Sequence, residues 1–433
     1  MPVSRRAFFL TTATAAGATL LAPELLTEAK NDLADWKSVR ALFQLDPAFV
    51  HAGLFYFSSH PKPVRDAIDA YRKQLDVDPL TTVETAMFGS DATHLPTRAC
   101  NAIARFIGGR GEDIALTGNT TAGLALLHHG VPLKEGEEIL TTEHDHAVHH
   151  DAIHLAAARS GARVRRIALF PPHDASNVDV DSLVTKIGEA ITPATRVLAL
   201  TWVHSSSGLR LPLREIVTAV RAKNERVLLF VDGVHGMGAT TRDIVSTGID
   251  GFASGLHKWM FGPRGTGFVW AKPEVWAQLQ PLLPTFSSFE LFSAWVEKRA
   301  PKGPPRANWF SPGGFHSYEH LWAIPSAFTL HETIGHERIV KRIAELNAMA
   351  KRELASMKHV RLRTPLEPSL SAGINCFEVD GIGAEEVVQR LHEAKVLAAA
   401  SPYAPSYPRL SFGIANDERD VERAVEVIRT MRT

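Results

Sequence analysis

The sequence predicts an α/β fold built on a mainly parallel, doubly wound sheet, because short apolar segments alternate with helix-like ones. Four apolar runs, rich in β-forming residues, each end abruptly in polar residues. They are residues 114–117, 139–142, 197–203 and 227–231. Helix-like stretches lie between them, for example at 121–129 and 213–223. Strands that alternate with helices need crossover connections, and such connections place neighbouring strands parallel to one another.

The same alternation predicts the domain organisation. It runs through residues 91–324, which we expect to form a large domain, whereas residues 33–90 and 325–433 would together form a smaller α+β domain. The second part of the smaller domain begins with a helical stretch in which apolar residues from Ile339 to Ala350 recur at helical spacing. Residues 281–314 are rich in Pro, Phe and Gly and predict a loop that serves as a lid or a dimer contact.

Polar residues follow each predicted strand at its carboxyl end. In open α/β sheets ligands bind in the crevice at this edge, so we expect the four polar segments to line one pocket. They are Gly118-Asn119-Thr120-Thr121, Glu143-His144-Asp145-His146, His204-Ser205-Ser206-Ser207 and Asp232-Gly233-Val234-His235. The first segment opens a helix, where free N–H groups and two hydroxyls predict a phosphate cradle. A plain helix cap is an equal alternative there, since Asn and Thr favour it too.

Lys258 lies in the segment Ser254-Gly255-Leu256-His257-Lys258-Trp259, and the glycine-rich segment from Gly262 to Gly267 follows it. A lysine can form a Schiff base with an aldehyde cofactor, and a carboxylate at the end of a buried strand can hold a pyridine nitrogen protonated. Lys258 and the strand-ending Asp232 therefore predict a pyridoxal 5'-phosphate (PLP) site. Taken singly, each is also consistent with a surface lysine or an Asp-Gly turn.

These motifs, taken in order along the chain, resemble the class V aminotransferase family. The resemblance rests on Gly-x-His-Lys-Trp with Gly-Pro-Arg-Gly-Thr-Gly, on Asp-x-x-His, on Gly-Asn-Thr-Thr and on the segment Pro408 to Gly413. It extends from about Phe49 to the C-terminus and is greatest to isopenicillin N epimerase-like enzymes, with cysteine desulfurases and kynureninases as more distant relatives. It implies a fold type I PLP enzyme that is active as a homodimer, with the site at the subunit interface.

The resemblance also implies a role for individual residues. Lys258 would bind PLP and later move the α-proton of an amino acid substrate, while Asp232 would pair with the pyridinium nitrogen. Arg409 would grip the substrate carboxylate, which suits the geometry of a guanidinium. The remaining expected cofactor contacts are Thr120, Thr121, Ser205, His235, Ser254, His257 and, from the partner chain, Thr266. Relatives often carry Ser or Asn at the place of Gly255, so this departure weakens the case for Ser254.

An aromatic or histidine ring normally stacks on PLP in the family, and His144 and His146 are the two candidates, with His146 favoured. His146, His150 and His154 also repeat every four residues, so they would share one helix face and offer a zinc or copper site as an alternative. No acidic or thiol ligand accompanies them at a recognised spacing. We therefore predict no metal.

Two further departures bear on the reaction. Phe315 and His316 stand where many relatives have a phosphate-binding hydroxyl and a nearby cation. Phe315 would form an aromatic pocket mouth together with Trp309 and Phe310, unless these rings belong to the core. A desulfurase needs a mobile thiol near the C-terminal arginine, but residues 401–408 contain none. The two cysteines, Cys100 and Cys376, lie in apolar settings, so we expect both to be buried and inert.

The N-terminus carries a separate signal. Ser4-Arg5-Arg6 followed by a short, mildly apolar stretch predicts a twin-arginine signal peptide over residues 1–29, too short to span a membrane. We therefore expect export of the folded protein by the twin-arginine machinery and a periplasmic location. The chain of 433 residues is 45% hydrophobic with 47 basic and 47 acidic residues, which is typical of a globular enzyme and gives no indication of nucleic-acid binding.

The sequence thus predicts a PLP enzyme acting at the α-carbon of an amino acid. An epimerase, racemase or lyase is favoured, and an aminotransferase is the alternative. An inactive PLP protein and a periplasmic metal-binding protein that uses the histidine cluster are further hypotheses.

Overall fold

The computed structural model describes residues 33–90, 92–171 and 174–431. The predicted signal peptide, residues 1–29, lies outside the described residues. Among the helices that are described, none combines the length and the apolar character that crossing a membrane requires.

Fifteen α-helices are found within the described residues. They are α1 (Trp36–Arg40), α2 (Lys62–Val77), α3 (Pro79–Phe88), α4 (Leu95–Ile107), α5 (Thr120–Gly130), α6 (Ala147–Ser160), α7 (Val180–Ala190), α8 (Leu213–Lys223), α9 (Pro273–Trp276), α10 (Phe289–Val296), α11 (Tyr318–Trp322), α12 (Ile324–Ile334), α13 (His336–Ser356), α14 (Ala384–Glu393) and α15 (Glu418–Thr430).

Thirteen strands are found in the same ranges. They are β1 (Val50–His51), β2 (Ile114–Thr117), β3 (Glu138–Thr142), β4 (Arg163–Ile167), β5 (Thr195–Thr201), β6 (Leu228–Asp232), β7 (Gly251–Gly255), β8 (Gly267–Ala271), β9 (Val360–Leu362), β10 (Asn375–Val379), β11 (Val396–Leu397), β12 (Ala399–Ala400) and β13 (Pro408–Leu410).

A seven-stranded sheet with the order β2-β8-β7-β6-β5-β3-β4 forms the centre of the molecule. In this sheet β7, β6, β5, β3 and β4 run parallel to one another, and β8 runs antiparallel to both of its neighbours, β7 and β2. The predicted α/β class and mainly parallel sheet are therefore confirmed. All four predicted strands are present, and the predicted helix at 213–223 has the observed bounds of α8.

Apolar side chains cover both faces of this sheet. One cluster joins the sheet to α4, α7, α8 and α12 through residues such as Ile103, Leu198 and Ile216. A second cluster on the other face joins it to α5 and α6 through residues such as Leu127 and Ile153. Strands that are buried on both faces have near-continuous apolar sequences, which is why the runs at β5 and β6 are so easily recognised.

A four-stranded sheet, β12-β13-β10-β9, lies in the C-terminal part of the chain and packs with α13, α14 and α15. The predicted apolar face of α13 is confirmed, because Ile339, Ile343, Leu346 and Ala350 are all buried. β1, from the N-terminal part, pairs in parallel with β11. Both ends of the chain therefore contribute to this smaller sheet region.

Two segments pack in ways that the sequence did not indicate. Val64, Ile68 and Tyr71 of α2 contact the core of the large sheet, whereas Val39 and Phe55 pack with residues of the C-terminal part. Residues 33–90 thus contact both parts of the molecule. The expected loop at 281–314 contains α10, whose first turn is capped because the Ser288 side chain accepts a hydrogen bond from the backbone N–H of Leu291.

Candidate active site

Asp232 is the last residue of β6, between the ends of β5 and β7. It is 4% exposed, and its Oδ1 accepts a hydrogen bond from the backbone N–H of Val234 at 3.0 Å. Burial raises the pKa of Asp232 to about 6, although the neighbouring Lys258 charge opposes the rise. A carboxylate in this setting can share a proton with a nitrogen base brought next to it.

The Lys258 amine lies 2.8 Å from Nε2 of His235. Burial lowers the pKa of Lys258 to about 8, and the Arg409 charge lowers it further while Asp232 raises it. Burial also holds the pKa of His235 well below its usual range, so this imidazole is neutral at pH 7. An amine that loses its proton this easily is a good nucleophile and a good base.

Thr120 begins α5 and is buried, and its Oγ1 accepts a hydrogen bond from the backbone N–H of Gly255 at 2.7 Å. The Asn119 side chain caps the helix by accepting from the backbone N–H of Ala122 at 2.9 Å, so the helix-cap interpretation holds for Asn119. Thr121 is exposed in the same first turn. A helix N-terminus with two hydroxyls remains available to an anion beside it.

Gly255 separates Thr120 from His257. A Cβ at this position would lie 2.8 Å from Nδ1 of His257 and 3.1 Å from Oγ1 of Thr120. The absence of a side chain here therefore keeps open the space between two groups expected to bind phosphate.

The other expected phosphate contacts differ in their accessibility. Ser254 is fully buried, and its Oγ donates to the carbonyl of Gly255 at 3.0 Å. Thr266 is 1% exposed, and its Oγ1 donates to the carbonyl of Pro263 at 2.5 Å. His257 is half-buried, and burial lowers its pKa to about 4. Only His257 of these three presents an accessible side chain in this chain alone.

Arg409 lies on β13, and its side chain is held by two backbone carbonyls. Nη1 donates to the carbonyl of Ser205 at 3.1 Å and Nη2 donates to that of Ala400 at 2.8 Å, while the guanidinium lies 4.8 Å from the centre of the Phe55 ring. Its buried Nε has no hydrogen-bond partner within residues 33–90, 92–171 and 174–431. Burial lowers the pKa of Arg409, so the neighbouring groups do not fully compensate the cost of burying its positive charge.

The two candidate stacking histidines have different neighbours. His144 already stacks on Phe170, with ring centres 3.9 Å apart and planes inclined by 12°, and its Nε2 accepts from the backbone N–H of Leu169 at 3.2 Å. His146 precedes α6 and is half-buried, and after burial the charges of Lys258 and Arg409 lower its pKa. His146 therefore lies within the electrostatic reach of both site cations, whereas His144 is occupied by Phe170.

A family model for class V aminotransferases matches residues 58–424. The chain belongs to the class V aminotransferase family. It is 27% identical to the isopenicillin N epimerase of Streptomyces clavuligerus over 410 residues, covering 92% of this chain and 98% of the relative. It is also 25% identical over 418 residues to a probable cysteine desulfurase of Xylella fastidiosa (strain 9a5c), covering 92% of this chain and 96% of that one.

Solved structures share the fold of this class V aminotransferase family member. A C-DES mutant with glycine covalently linked to its PLP cofactor aligns with a TM-score of 0.79 at 20% identity, covering 91% of this chain and 99% of that one. The apo cysteine desulfurase of Thermococcus onnurineus NA1 aligns with a TM-score of 0.76 at 20% identity, covering 91% and 97%. The expected fold type I architecture is thereby confirmed.

Of the two cysteines of this class V family member, Cys376 is buried as predicted, whereas Cys100 is only half-buried. Cys376 is fully buried and lies opposite Arg409 where β10 pairs with β13, with its Sγ 4.0 Å from the carbonyl of Ser205. Burial raises the pKa of Cys376, like that of Cys100, to about 12. A thiol thus lies beside the site, but in its neutral and inaccessible form.

The histidine cluster and the aromatic residues of the predicted pocket mouth take other roles. Nε2 of His150 bonds to the carbonyl of Thr142 at 2.8 Å, and Nε2 of His154 lies 2.6 Å from an Arg166 nitrogen. Within the described ranges, no group of three or more His, Cys, Asp or Glu is placed to hold a metal ion. Trp309 and Phe310 belong to the core, whereas Phe315 is 76% exposed.

Sequence reasoning missed two residues of the site, Tyr403 and Phe55, and placed Asp145 at the pocket without assigning it a role. Tyr403 donates to or accepts from Oγ of Ser205 at 2.7 Å, and Phe55 covers the Arg409 guanidinium. Oδ2 of Asp145 accepts three hydrogen bonds at 2.8 Å from the Thr141 and Thr142 side chains and the Thr142 N–H. For Phe55 and Tyr403 the available signals were the aromatic run at 55–57 and the two tyrosines within residues 401–408, but both segments lie far from Lys258 in sequence.

Proposed function

We propose that this protein is a PLP-dependent enzyme that removes the α-proton of an amino acid and then either inverts the configuration at the α-carbon or eliminates a β-substituent. The observation that carries the proposal is that the charges of Asp232 and Arg409 both act on Lys258 in one site, Asp232 raising and Arg409 lowering its pKa. These residues come from three different parts of the chain. Only a ligand that needs an amine, a carboxylate and a guanidinium together gives all three a function.

The residues present fit PLP. Asp232 would hold the pyridinium nitrogen, His235 the phenolic oxygen, and Thr120, Thr121 and His257 the phosphate. Two buried polar atoms, Nδ1 of His235 and Nε of Arg409, have no partner within the described parts of the chain, as expected of a site built for a polar ligand. When bound, PLP supplies an aldehyde for Lys258 and an electron-withdrawing ring that acidifies the α-carbon.

The residues of the chain then perform the remaining steps. Arg409 binds the substrate carboxylate by two parallel hydrogen bonds, which fixes the α-carbon in position. Lys258, whose pKa of about 8 leaves a useful neutral fraction at pH 7, takes the α-proton. His146 is the favoured candidate for the ring that stacks on PLP, because the charges of both Lys258 and Arg409 act on it, whereas one face of His144 is covered by Phe170.

The fate of the α-carbon after proton removal determines the reaction. Return of a proton to the opposite face of the α-carbon gives epimerisation or racemisation, and loss of a β-substituent gives a lyase. The similarity to isopenicillin N epimerases supports the first outcome. Desulfuration is disfavoured because Cys376 and Cys100 are neutral thiols whose pKa is about 12. Transamination is the second candidate, since Lys258 could also deliver the proton to the cofactor.

We further propose a homodimer. The exposed apolar side chains include Phe289, Trp295 at 76% exposure and Phe315, all from residues 282–315. A surface of this kind is typical of protein–protein contacts. Phosphate binding by Thr266 of the partner would require this side chain to leave its buried conformation. Export by the twin-arginine route to the periplasm is also proposed, on the basis of the Ser4-Arg5-Arg6 segment alone.

Two measurements test the function. Purified protein loaded with PLP should absorb in the blue-violet and should trap PLP under borohydride, and Lys258→Ala should abolish both. The products from L-amino acids in deuterium oxide then identify the reaction: α-deuteration with inversion, keto acid formation, or β-elimination. Protein that remains colourless with PLP, or a Lys258→Ala variant that still traps it, would show that Lys258 is not the attachment site.

A further inference from the structure

A cavity of about 620 Å³ lies between the large-sheet part of the molecule and its C-terminal part. Its lining residues come from α13, from the segment between Leu366 and Asn375, and from the large-sheet residues Arg210, Ala239 and Thr240. None of the described residues that line it belongs to the candidate active site. Small-molecule sites usually have volumes of about 300 to 1,000 Å³. The cavity is therefore large enough for a ligand of its own.

Asn375 brings one unpartnered polar atom to this cavity. Its side chain is fully buried, and its Oδ1 has no hydrogen-bond partner within the described residues. Asn347 fixes the orientation of this amide. Nδ2 of Asn347 donates to the carbonyls of Ile343 and Phe412, each at 2.7 Å, and its Oδ1 accepts from the N–H of Phe412 and from Nδ2 of Asn375, each at 3.1 Å. A flipped Asn375 amide would bring two oxygens together, so Oδ1 is left for a donor supplied by a ligand.

Lys351 and Arg210 bring positive charge to the same cavity. Nζ of Lys351 donates to the carbonyl of Pro365 at 2.7 Å and to Oγ of Ser371 at 2.5 Å, so one of its three N–H donors remains for a ligand. Nη2 of Arg210 donates to Oγ1 of Thr241 at 3.4 Å, a long contact that leaves the other guanidinium donors for a second partner. Both cations can therefore bind an anion.

The positive charge at the cavity is only partly compensated. Among the described residues that line it, none is Asp or Glu. Burial lowers the pKa of Lys351 to about 8 and also lowers the pKa of Arg210. Glu367 opposes the shift of Lys351 and Glu215 opposes that of Arg210, but both carboxylates are exposed and neither reverses the shift. An anion bound in the cavity would compensate both cations.

The rest of the lining is largely apolar. Val340, Ala344 and Ala348 recur every four residues along α13 and therefore share one face of the helix. Leu366 and Ile374 line the cavity from the following segment, and Leu366 is 54% exposed. The small side chains of the helix leave room for an apolar group, and the exposed edge gives access from solvent. The cavity thus combines positive charge, an unpartnered acceptor and an apolar surface.

We propose that this cavity is a second ligand site, which binds a small carboxylate with an apolar body and an N–H or O–H donor, as found in amino acids and hydroxy acids. Lys351 and Arg210 bind the carboxylate, and Oδ1 of Asn375 accepts the hydrogen bond from the donor. The apolar body packs on the alanine face of α13. Because the site shares no described residue with the candidate active site, the inference does not depend on the proposed function.

Isothermal titration of the PLP-loaded protein with 2-hydroxy-4-methylpentanoate tests the site, because this probe has no amine and cannot form a Schiff base. The wild type should bind it with a Kd below about 1 mM. Lys351→Met should weaken binding by about tenfold or more, since it removes a charge that pairs with the carboxylate. Lys341→Met is the matched control, because Lys341 is an exposed residue of the same helix outside the cavity, and it should bind as the wild type does.

Two further comparisons separate the apolar and the polar parts of the site. Ala348→Leu keeps every polar group but fills the apolar part of the cavity, so it should also weaken binding by about tenfold or more. The probe 4-methylpentanoate, which lacks the donor, should bind more weakly than the hydroxy acid by about tenfold. Leucine carries an amine in place of the hydroxyl, and tighter binding of leucine than of the hydroxy acid would support the site with an amine as its donor.

Each variant is also combined with Arg409→Gln, so that the carboxylate site proposed beside PLP does not contribute. Thermal unfolding supplies a second readout: the hydroxy acid should raise the midpoint of Lys341→Met and leave the midpoints of Lys351→Met and Ala348→Leu in place. Absence of binding up to about 10 mM, or equal binding by Lys341→Met, Lys351→Met and Ala348→Leu, would overturn the inference and leave Oδ1 of Asn375 to water alone. Neither result involves α-proton exchange, so the proposed function would remain intact.

Discussion

The pH dependence of cofactor capture by Lys258 provides a quantitative test of the site. Only the neutral amine attacks an aldehyde, so the fraction of neutral Lys258 sets the rate of capture below its pKa. Burial lowers that pKa from 10.5 to about 8. At pH 7 the neutral fraction is then larger by about 300-fold than for an ordinary lysine, because each unit of pKa below 10.5 is a factor of ten.

The assay is to mix cofactor-free protein with PLP, quench with borohydride at successive times, and measure covalent incorporation from about pH 6 to about pH 10. The rate should rise by about tenfold per pH unit and reach a plateau above about pH 8. A rate that keeps rising through about pH 10, where an ordinary lysine titrates, would refute the reasoning.

Two variants separate the causes of this shift because they act in opposite directions. Arg409 lowers the pKa of Lys258 by repulsion, so Arg409→Gln should move the midpoint of the capture profile to higher pH. Asp232 raises that pKa by attraction, so Asp232→Asn should move the midpoint to lower pH. Shifts of the same sign in both variants would mean that burial changes, and not these charges, dominate.

The local geometry supports three other predictions. Gly255→Ala should weaken PLP binding by about tenfold, because its Cβ would lie 2.8 Å from Nδ1 of His257. Gly383→Ala is the control, since its Cβ would have no atom within 4 Å. Equal dissociation constants for the two variants in a cofactor titration would contradict the phosphate cradle. Arg409→Lys should lower kcat/KM by about a hundredfold, since an ammonium cannot make the paired contact, and unchanged kinetics would exclude Arg409 from carboxylate binding. Asp145→Asn should lower the free energy of unfolding by about 2 kcal/mol at pH 7, because three hydrogen bonds from Thr141 and Thr142 to the charged carboxylate would become hydrogen bonds to a neutral amide. Although burial opposes the charged form, the pKa of Asp145 is lowered from 3.8 to about 2. That stabilisation is present above about pH 4 and disappears as the pH falls towards 2. The urea midpoints of the wild type and of Asp145→Asn should therefore converge near pH 2. A difference in midpoint that persists at low pH would assign the loss of stability to packing.

Four strands of the central sheet, β2, β3, β5 and β6, could be predicted from sequence because they are buried and have continuous apolar runs. β7 and β8 are buried as well but were not predicted, since each is only five residues long and begins with glycine. β4 escaped prediction for a different reason: it is an edge strand with the sequence Arg-Val-Arg-Arg-Ile and carries no apolar run. Asp232 and Lys258 could be predicted because each ends or follows a strand at the carboxyl edge, where topology alone brings side chains together. Phe55 and Tyr403 could not, since they reach the same edge from the two ends of the chain through tertiary packing.

Two cations, Lys258 and Arg409, share the site with the carboxylate of Asp232, while the carboxylate of Asp145 is occupied by hydrogen bonds from Thr141 and Thr142. Lys258 and Arg409 are both cationic and buried, and Asp232 is the acidic group coupled most directly to Lys258. The imidazoles of His146, His235 and His257 are neutral because burial lowers the pKa of each. Such a site favours anions, which matches a cofactor phosphate and a substrate carboxylate. Neutralisation of Arg409 by a bound carboxylate should in turn raise the pKa of Lys258, so that substrate binding itself strengthens Lys258 as the base that removes the α-proton.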